Sequence, residues 1–342
     1  MSTIHDVARK ARVSVMTVSR TLNAPAKVSA KTRKTIHRVM EQLGYEPNQI
    51  ARSLVRKKSS TLGIIMPDIK NTFFNSWFRA VEHSARLLHY NLLLCNTDEN
   101  PELELSNVRL LLGQRVGGII LIPHSRESAL RIRRSQLPFI LVDRVLDNLA
   151  ADCVSTDHYA GAYDATDYLI SLGHTRIAVL RGPGVLYPDG ERYRGFRVAM
   201  QRKDIPIRPH YVCNCEFQEE MAFETTKRLL MSPQRPTAIF SFNSLMTIGA
   251  IKAIRTLGLS IPDAVSIVTY DEIPGHAVFS PRMTYVQQPI EKLGQEAARI
   301  IIERIEGTRK GEYVRVLLPP ALVIGESCRP CGAMSGYSPV KN

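Results

Sequence analysis

Several features that define particular protein classes are scarce or missing in these 342 residues. Six cysteines are too few for a dense disulfide framework, which favours a reducing compartment. The longest apolar stretches, such as Val116–Pro123, are far too short to span a bilayer, and the N-terminus lacks an apolar signal-peptide core. The sequence therefore predicts a cytoplasmic protein that does not enter a membrane.

Motifs that hold metals, cofactors or nucleophiles are also missing. The sequence contains no Walker A motif, no nucleophile elbow and no paired-histidine motif. The cysteine pairs Cys213/Cys215 and Cys328/Cys331 lack the further ligands that a metal site needs. We therefore expect no catalytic residue, no metal and no cofactor.

Positive charge is abundant and unevenly spread. The net charge is +13, and residues 1–60 hold thirteen basic residues against three acidic ones. The other 282 residues carry only +3. A small basic segment attached to a nearly neutral body is typical of a polyanion-binding domain; the alternative, a solvated charged surface, does not explain this concentration.

The basic segment is punctuated like three short helices. Thr3 with Asp6 forms a capping-box pattern, and Ser14 and Ser29 are candidate N-caps for the second and third helices. Gly44 is placed to end the third helix. Two short helices joined by a tight turn, with a third closing the core, predict a helix-turn-helix.

In a helix-turn-helix the start of the second helix enters the DNA major groove. Arg20 can donate a bidentate pair to guanine, whereas Val15 and Met16 can only pack against base edges. Short hydroxyl and amide side chains are suited to binding phosphates. The candidates are Thr3, Ser14, Thr17, Ser19, Asn23, Ser29 and Thr32.

A second candidate DNA contact follows Pro47. Asn48 can cap a helix of about two turns, too short to be stable alone in water. Leu54 lies among basic residues without an obvious core, as expected of a wedge between minor-groove base steps. The candidate hinge and minor-groove residues are Asn48, Ala51, Arg52, Leu54 and Val55.

From Thr61 onward, apolar runs alternate with helical patterns, which predicts parallel sheets covered on both faces. The pattern restarts after Asp157, so we expect two α/β lobes. The predicted strands are Leu62–Met66, Asn91–Cys95, Gly117–Ile122, Phe139–Val142, Arg176–Leu180, Ala238–Phe242 and Val265–Thr269.

Polar residues at strand ends are the candidate pocket. Asp143, Asn243 and Asp271 each follow a predicted strand, and Arg192 lies near the start of a predicted helix at Glu191–Gln201. Taken singly, each is more simply a loop charge or a helix cap. Together, acceptor carboxylates and donor Arg and Asn groups suit a ligand rich in hydroxyls at strand C-terminal ends.

Specific motifs give the chain a family resemblance. Val13-Ser14-x-x-Thr17-Val18-Ser19-Arg20, Gly44-Tyr45-x-Pro47-Asn48 and Ala51-Arg52-Ser53-Leu54 closely resemble the lactose/galactose repressor family of bacterial transcription regulators. The resemblance extends to about Ser327. It implies an N-terminal all-α helix-turn-helix domain and hinge helix, followed by a two-lobed α/β effector domain like that of periplasmic sugar-binding proteins.

The same resemblance implies domain limits and ligand contacts. The expected domains are a helix-turn-helix domain at 1–46, a hinge helix and linker at 47–60, a first lobe at 61–157 plus 290–318, a second lobe at 161–287 plus 321–328, and a flexible tail at 329–342. The positions matching family effector contacts are Phe73, Phe74, Asp143, Arg192, Phe217, Asn243 and Asp271.

Three positions depart from the family pattern. Ser244 follows Asn243 where the family usually has Asp, and Leu186 and Pro188 replace polar side chains of the purine-binding members. A purine effector is thus disfavoured, and a sugar or sugar acid is the default. Its identity, and whether it releases DNA or strengthens DNA binding, stay open.

The expected assembly is a homodimer on a near-palindromic operator. One short recognition helix reads too few base pairs alone, and the residues after Cys328 contain no apolar heptad for a tetramer. Two alternatives remain: a transport-type binding protein, disfavoured by the basic N-terminal segment, and a sugar-metabolising enzyme with a fused DNA-binding domain.

Overall fold

The computed structural model describes residues 2–23, 25–45, 59–273, 275 and 280–332. The chain divides into two units, Met1–Ser59 and Ser60–Asn342. The candidate hinge residues Asn48, Ala51, Arg52, Leu54 and Val55 lie outside the described residues. Within the described part, no helix is both long enough and apolar enough to cross a membrane.

The smaller unit is built from three α-helices around an apolar core. The helices are α1 (Ile4–Ala11), α2 (Val15–Asn23) and α3 (Ala30–Leu43), with a short 3-10 helix at Pro25–Lys27. One to three buried residues of each helix point into this core at helical spacing. The buried residues are Val7, Ala8, Val18, Ile36, Val39 and Met40.

The ends of these helices follow the predicted capping residues. Thr3 and Asp6 form the capping box of α1, in which each side chain accepts from the other residue's backbone N–H. Ser14 and Ser29 accept from the backbone N–H groups three residues ahead. Gly44 ends α3 in the left-handed conformation, with φ of 56°.

The larger unit has two lobes, each with a six-stranded sheet. In the first lobe the order is β11-β5-β4-β3-β1-β2, and every strand pair is parallel. The strands are β1 (Thr61–Met66), β2 (Asn91–Asn96), β3 (Gly118–Leu121), β4 (Phe139–Val142), β5 (Asp152–Thr156) and β11 (Arg315–Leu318). The helices are α4 (Thr72–Leu87), α5 (Pro101–Gly113), α6 (Arg126–Arg134) and α11 (Ile290–Glu306).

The second lobe repeats this design, with the order β12-β10-β9-β8-β6-β7. Its strands are β6 (Ile177–Arg181), β7 (Val212–Asn214), β8 (Ala238–Ser241), β9 (Ser266–Tyr270), β10 (Thr284–Gln287) and β12 (Ala321–Val323). Its helices are α7 (His158–Ser171), α8 (Tyr187–Arg202), α9 (Glu219–Met231) and α10 (Ser244–Thr256), with a 3-10 helix at Pro209–Tyr211. The predicted two-lobed α/β fold is confirmed, except that β12 pairs antiparallel with β10.

The chain passes between the lobes three times, after β5, after β10 and after β11. Gly161 lies where two of these passages meet. A Cβ atom there would lie 2.8 Å from both Pro320 and Val286. Only glycine lets α7 approach the other passages this closely.

Five strands were not predicted from the sequence, namely β5, β7, β10, β11 and β12, and β5 shows how hydrophobic patterning misses a buried strand. β5 reads Asp-Cys-Val-Ser-Thr, yet all five residues are buried. Their polar groups find partners: Arg304 pairs with Asp152, and Ser155 Oγ donates to the Asp143 carbonyl at 2.8 Å. Because hydrogen bonds satisfy these groups, burial does not require an apolar sequence.

Helix α8 begins at Tyr187, one turn before the predicted start at Glu191. Pro188 occupies the first turn, where its missing N–H costs no helical hydrogen bond. The predicted helix, Glu191–Gln201, did not include this proline. Arg192 therefore lies in the second turn of the helix and not at its start.

The predicted flexible tail at 329–342 makes contacts at its first residues. The Arg329 side chain pairs with Asp263 at 2.6 Å, and the Cys331 N–H donates to the Leu172 carbonyl at 2.7 Å. His174 Nε2 contacts the Arg329 carbonyl at 3.0 Å. The second lobe thus includes Arg329 and Cys331, which the prediction had placed in the tail.

Gly249 tests the packing of α9 against α10. A Cβ atom at this position would lie 2.1 Å from the backbone oxygen of Glu219. A backbone atom cannot swing away as the end of a side chain can. We predict that Gly249→Ala lowers the free energy of unfolding by about 3 kcal/mol. Gly113→Ala is the control because nothing lies within 4 Å of its Cβ position. Chemical denaturation showing equal stabilities for both variants would contradict this packing.

Candidate functional site

The exposed face of α2 is the candidate DNA-reading surface. Met16 is 60% exposed, and Arg20, one turn later, is also exposed. Val15 is half-buried and packs against the core of the smaller unit. The structure therefore presents two of the three predicted base-contacting side chains fully, whereas Val15 serves the core as well.

The predicted phosphate-binding hydroxyls lie at helix N-termini. Ser14 Oγ contacts Thr17 Oγ1 at 2.9 Å, and Ser29 Oγ contacts Thr32 Oγ1 at 2.8 Å. Thr3 Oγ1 likewise caps α1. Helix N-termini with free N–H groups favour phosphate. Ser19 is half-buried, the side chain of Asn23 lies outside the described residues, and phosphate contact stays a prediction for the whole set.

All seven predicted effector residues line one cleft of about 290 Å³ in the larger unit. The cleft is near the small end of the range for ligand pockets, about 300–1,000 Å³. Both lobes contribute, at the C-terminal ends of their strands. Phe73, Phe74 and Asp143 come from the first lobe, and Arg192, Phe217, Asn243 and Asp271 from the second.

The cleft is lined by strained backbone. Six of its lining residues other than glycine adopt left-handed φ angles between 48° and 71°. Side chains with a Cβ rarely adopt this conformation, and such strain concentrates at functional sites. The residues are Asp98, Glu99, Asp143, Glu216, Phe217 and Asp271. Sequence patterning gave no sign of this strain.

Asp143 is held by a buried histidine that the sequence analysis missed. His158 Nε2 lies 3.1 Å from Asp143 Oδ1, and His158 Nδ1 lies 3.2 Å from the Tyr270 hydroxyl. Burial and the charge of Arg192 lower the pKa of His158, so it is neutral. Burial alone would raise the pKa of Asp143, but the His158 hydrogen bond and Arg192 outweigh it and lower that pKa.

Arg192 is a buried cation on the floor of the cleft. Its Nη1 donates to the Phe242 carbonyl, and its Nη2 lies 3.3 Å from His158 Nδ1. The guanidinium carbon stacks 3.7 Å from the centre of the Tyr270 ring. Arg192 Nε is buried without a hydrogen-bond partner among the described residues. An unpaired buried donor in a cleft is a natural contact for a ligand oxygen.

Asp271 is tied to the passage between the lobes. Gln288 Nε2 donates to Asp271 Oδ1 at 2.7 Å, and Gln288 Oε1 accepts from Thr156 Oγ1, also at 2.7 Å. Burial raises the pKa of Asp271 to about 6, and Arg192 offsets only part of this effect. Asp271 is therefore mostly ionised at neutral pH but protonates in mild acid.

Three aromatic rings supply the apolar walls. The rings of Phe73 and Phe74 meet edge to face, 5.2 Å between centroids. The Phe217 ring lies over Gly182, where a Cβ atom would lie 2.3 Å from it. Trp77, on the same helix as Phe73 and Phe74, is fully buried in the core of the first lobe and does not line the cleft.

A second missed group lies at the cleft rim. Arg144 Nη1 donates to Glu99 Oε2 at 2.8 Å, and His124 Nδ1 contacts the same oxygen at 3.1 Å. Burial would raise the pKa of Glu99, but the charges and hydrogen bonds of Arg144 and His124 together outweigh it and lower the pKa to about 2. Glu99 and Arg144 therefore neutralise each other at the rim.

Comparison with known proteins assigns both units. The profile described as bacterial regulatory proteins, lacI family, matches residues 3–48, and the periplasmic binding protein-like domain matches residues 166–328. The HTH-type transcriptional regulator DegA of Bacillus subtilis (strain 168) is 35% identical over 334 residues, covering 96% of this chain and 98% of that protein. The chain belongs to the lacI family of bacterial regulatory proteins. This confirms the resemblance that the N-terminal motifs indicate.

Two further relatives match along nearly their whole length. The ribose operon repressor of Halalkalibacterium halodurans is 35% identical over 333 residues, covering 96% of this chain and 98% of that protein. The crystal structure of the lac repressor dimer bound to operator and the anti-inducer ONPF has a TM-score of 0.85 at 27% identity. The match covers 96% of this chain and 99% of that one. As a lacI-family member, the chain is a DNA-binding transcriptional regulator.

The departures from the lacI-family pattern fall at two places. Ser244 is buried at the first position of α10, and Asn243 Oδ1 caps that helix by accepting the Met246 N–H at 2.8 Å. Pro188 lines the cleft, whereas Leu186 is buried and is not a lining residue. Only Pro188 therefore bears directly on the argument against a purine.

Sequence reasoning missed His158 and Gln288, which bond cleft residues but do not line the cleft themselves. His158 comes two residues after β5 and Gln288 directly after β10, but neither of these strands was predicted from the sequence. Their usable signal was position, because His158 and Gln288 fall in the gaps between the expected lobe limits, at 157–161 and 287–290. A buried carboxylate at a lobe boundary needs a partner, and these residues supply one to Asp143 and Asp271.

The raised pKa of Asp271 predicts a stability effect. Because its pKa is about 6 when folded against 3.8 ordinarily, the ionised form opposes folding above pH 6. Asp271→Asn keeps an oxygen to accept from Gln288 and should raise the free energy of unfolding at pH 8, by up to about 3 kcal/mol. The gain should shrink as pH falls from 6 towards 4. Chemical denaturation of the wild type and Asp271→Asn at pH 8 and pH 4 measures this gain. A gain that is independent of pH, or a loss of stability, would exclude a buried charge at Asp271.

Proposed function

We propose that this chain is a cytoplasmic, homodimeric repressor whose affinity for a near-palindromic operator is set by a small polyhydroxylated ligand in the cleft. The observation that carries this proposal is the floor of the cleft. There, two aspartates with left-handed backbone flank a buried guanidinium whose Nε–H has no partner among the described residues. The groups present are hydrogen-bond donors and acceptors, so we infer that the protein binds its ligand and does not convert it.

The chemistry of the ligand follows from these groups. Asp143 and Asp271 each commit one oxygen to a protein partner, which leaves the other oxygen to accept from ligand hydroxyls. Arg192 and Asn243 can donate, and the faces of Phe73 and Phe217 suit the C–H faces of a sugar ring. The names of two relatives, a ribose operon repressor and a lac repressor bound to an anti-inducer, support a sugar-like ligand.

The charge of the cleft narrows the class further. Six carboxylates line it against three cations, Lys70, Arg144 and Arg192. Arg144 is already paired with Glu99, so it has little attraction left for an anion. We therefore infer a neutral sugar rather than a sugar acid, which narrows the default drawn from sequence.

On DNA, we infer that α2 lies in the major groove. Arg20 would pair with a guanine, and Met16 would pack against an apolar base edge such as a thymine methyl. The hinge segment 47–60 would fold in the minor groove, with Leu54 of each protomer wedged between central base steps. Folding of two hinge segments requires that the two first lobes of a dimer lie at a suitable spacing.

The proposed coupling arises because both lobes hold the ligand. Asp143 and Asp271 belong to different lobes, so a ligand that contacts both stabilises one interlobe angle over others. That angle would set the spacing of the two first lobes in a dimer, and hence whether the hinge segments fold on DNA.

The DNA proposal predicts a specific effect of Arg20→Ala. Loss of the bidentate pair should weaken operator binding by about 1–3 kcal/mol and relax discrimination at one base pair. Lys34→Ala removes the same charge from α3 and is the control, because it should weaken all sequences equally. Fluorescence anisotropy with operator and single-base variants compares them. Identical sequence preferences in the wild type and Arg20→Ala would rule out base reading by Arg20.

The ligand proposal predicts a charge preference that calorimetry can measure. D-ribose and D-glucose should bind more tightly than D-ribonate and D-gluconate, because the acids meet excess carboxylates. Arg192→Ala should abolish the binding, whereas Arg194→Ala on the same helix should not, because Arg194 is exposed and paired with Glu191. Tighter binding of the acids would overturn the neutral-sugar assignment, and unchanged affinity in Arg192→Ala would remove this residue from the site.

A further inference from the structure

His158 occupies a singular place at the boundary between the lobes. It is the first residue of α7, directly after the chain leaves β5 of the first lobe. Its side chain is fully buried and is not among the residues that line the cleft. His158 is not among the positions that match effector contacts of the family.

The contacts of His158 join groups from both lobes. Asp143, at the end of β4, belongs to the first lobe, and its Oδ1 lies 3.1 Å from His158 Nε2. Tyr270 and Arg192 belong to the second lobe and lie 3.2 Å and 3.3 Å from His158 Nδ1. A single imidazole thus bridges the first-lobe carboxylate and the second-lobe guanidinium.

These partners fix the tautomer of His158. An ionised Asp143 can only accept, so His158 Nε2 must carry the proton. Nδ1 is then an acceptor. This agrees with the two donors beside it, the Tyr270 hydroxyl and Arg192 Nη2. Lysine, arginine or a carboxylic acid at this position would not supply one donor and one acceptor on opposite sides of a small ring.

The bridge determines which atoms remain for a ligand. With Arg192 Nη1 on the Phe242 carbonyl and Nη2 on His158, the guanidinium keeps Nε unpaired among the described residues. With Asp143 Oδ1 on His158, the other carboxylate oxygen is left to accept. Without His158, the Asp143 carboxylate would lose its hydrogen-bond donor and the Arg192 side chain would lose one of its acceptors, so both would be able to rotate.

We propose that His158 is a positioning residue that holds Asp143 and Arg192 apart and oriented across the lobe boundary, so that both face the ligand. Its action on ligand affinity rests on the proposed function, whereas its action on Asp143 and Arg192 does not. Since His158 lies on a passage between the lobes, rotation of the lobes must change the geometry of this bridge.

The first experiment needs no ligand. Carbon-13 NMR of labelled aspartate carboxyls measures the pKa of Asp143 in the full-length protein. His158→Phe keeps a ring but removes donor and acceptor, so the pKa of Asp143 should rise. His158→Gln keeps one donor and one acceptor at similar spacing and should restore it. His174→Phe is the matched control, since His174 is a buried second-lobe histidine bonded to Thr237 and Arg329.

An unchanged Asp143 pKa in His158→Phe would overturn the proposal. If that variant does not fold, nitrogen-15 NMR of the wild-type imidazole decides instead. A neutral ring protonated at Nε2 is expected, and a ring protonated at Nδ1 would overturn the bridge.

The second experiment tests the consequence for binding, with D-ribose and D-glucose as probes in calorimetry. His158→Phe should raise the dissociation constant of the sugar about tenfold or more. His158→Gln should stay within about threefold of the wild type, and His174→Phe should match it. Equal losses in His158→Phe and His158→Gln would mean that His158 merely fills space. If neither sugar binds the wild type, the proposed ligand is wrong, and the NMR titration still decides the role of His158.

Discussion

The buried guanidinium of Arg192 is the interaction on which the rest of the cleft depends. It is 4% exposed, and it lowers the pKa of Asp143 and partly offsets the burial that raises the pKa of Asp271. Burying three charges is costly unless each finds partners. The protein supplies partners through Phe242, His158 and Tyr270, but among the described residues the Arg192 Nε–H and one oxygen of each carboxylate have no hydrogen-bond partner. These groups of the cleft therefore have hydrogen-bonding capacity that the described residues do not use, as expected of a binding site.

The same polar groups connect the two lobes. Asp143 reaches the second lobe through His158, and Asp271 reaches the end of β5 in the first lobe through Gln288 and Thr156. Both links run through residues beside the chain passages between the lobes. A ligand that engages these carboxylates therefore acts beside the segments that join the lobes. This gives a lacI-family regulator a physical route from ligand to lobe geometry, with strained backbone at Asp143 and Asp271 holding the groups in place.

The sequence predicted the residues that line the cleft better than the residues that hold them in place. The lining residues were accessible because polar residues after apolar strands meet at one edge of a parallel sheet, and the family motifs then supplied Phe73, Phe74 and Phe217. His158 and Gln288 were not accessible because a histidine at a helix start and a glutamine in a connection are ordinary in sequence and exceptional only in burial. β5 was missed for a related reason, since satisfied polar residues do not follow hydrophobic periodicity. Val15 shows the converse, because a residue on the DNA-facing helix also packs into the core.

The central claim is that the cleft and the operator are coupled through one two-state element. Coupling between two binding sites is reciprocal, so DNA must change ligand affinity by the same factor as ligand changes DNA affinity. Calorimetry should therefore titrate the neutral sugar into the free protein and into the protein saturated with operator. The account predicts dissociation constants that differ by about fivefold or more, matched by the shift in operator affinity when the sugar is present. Equal sugar affinities with and without operator would contradict it.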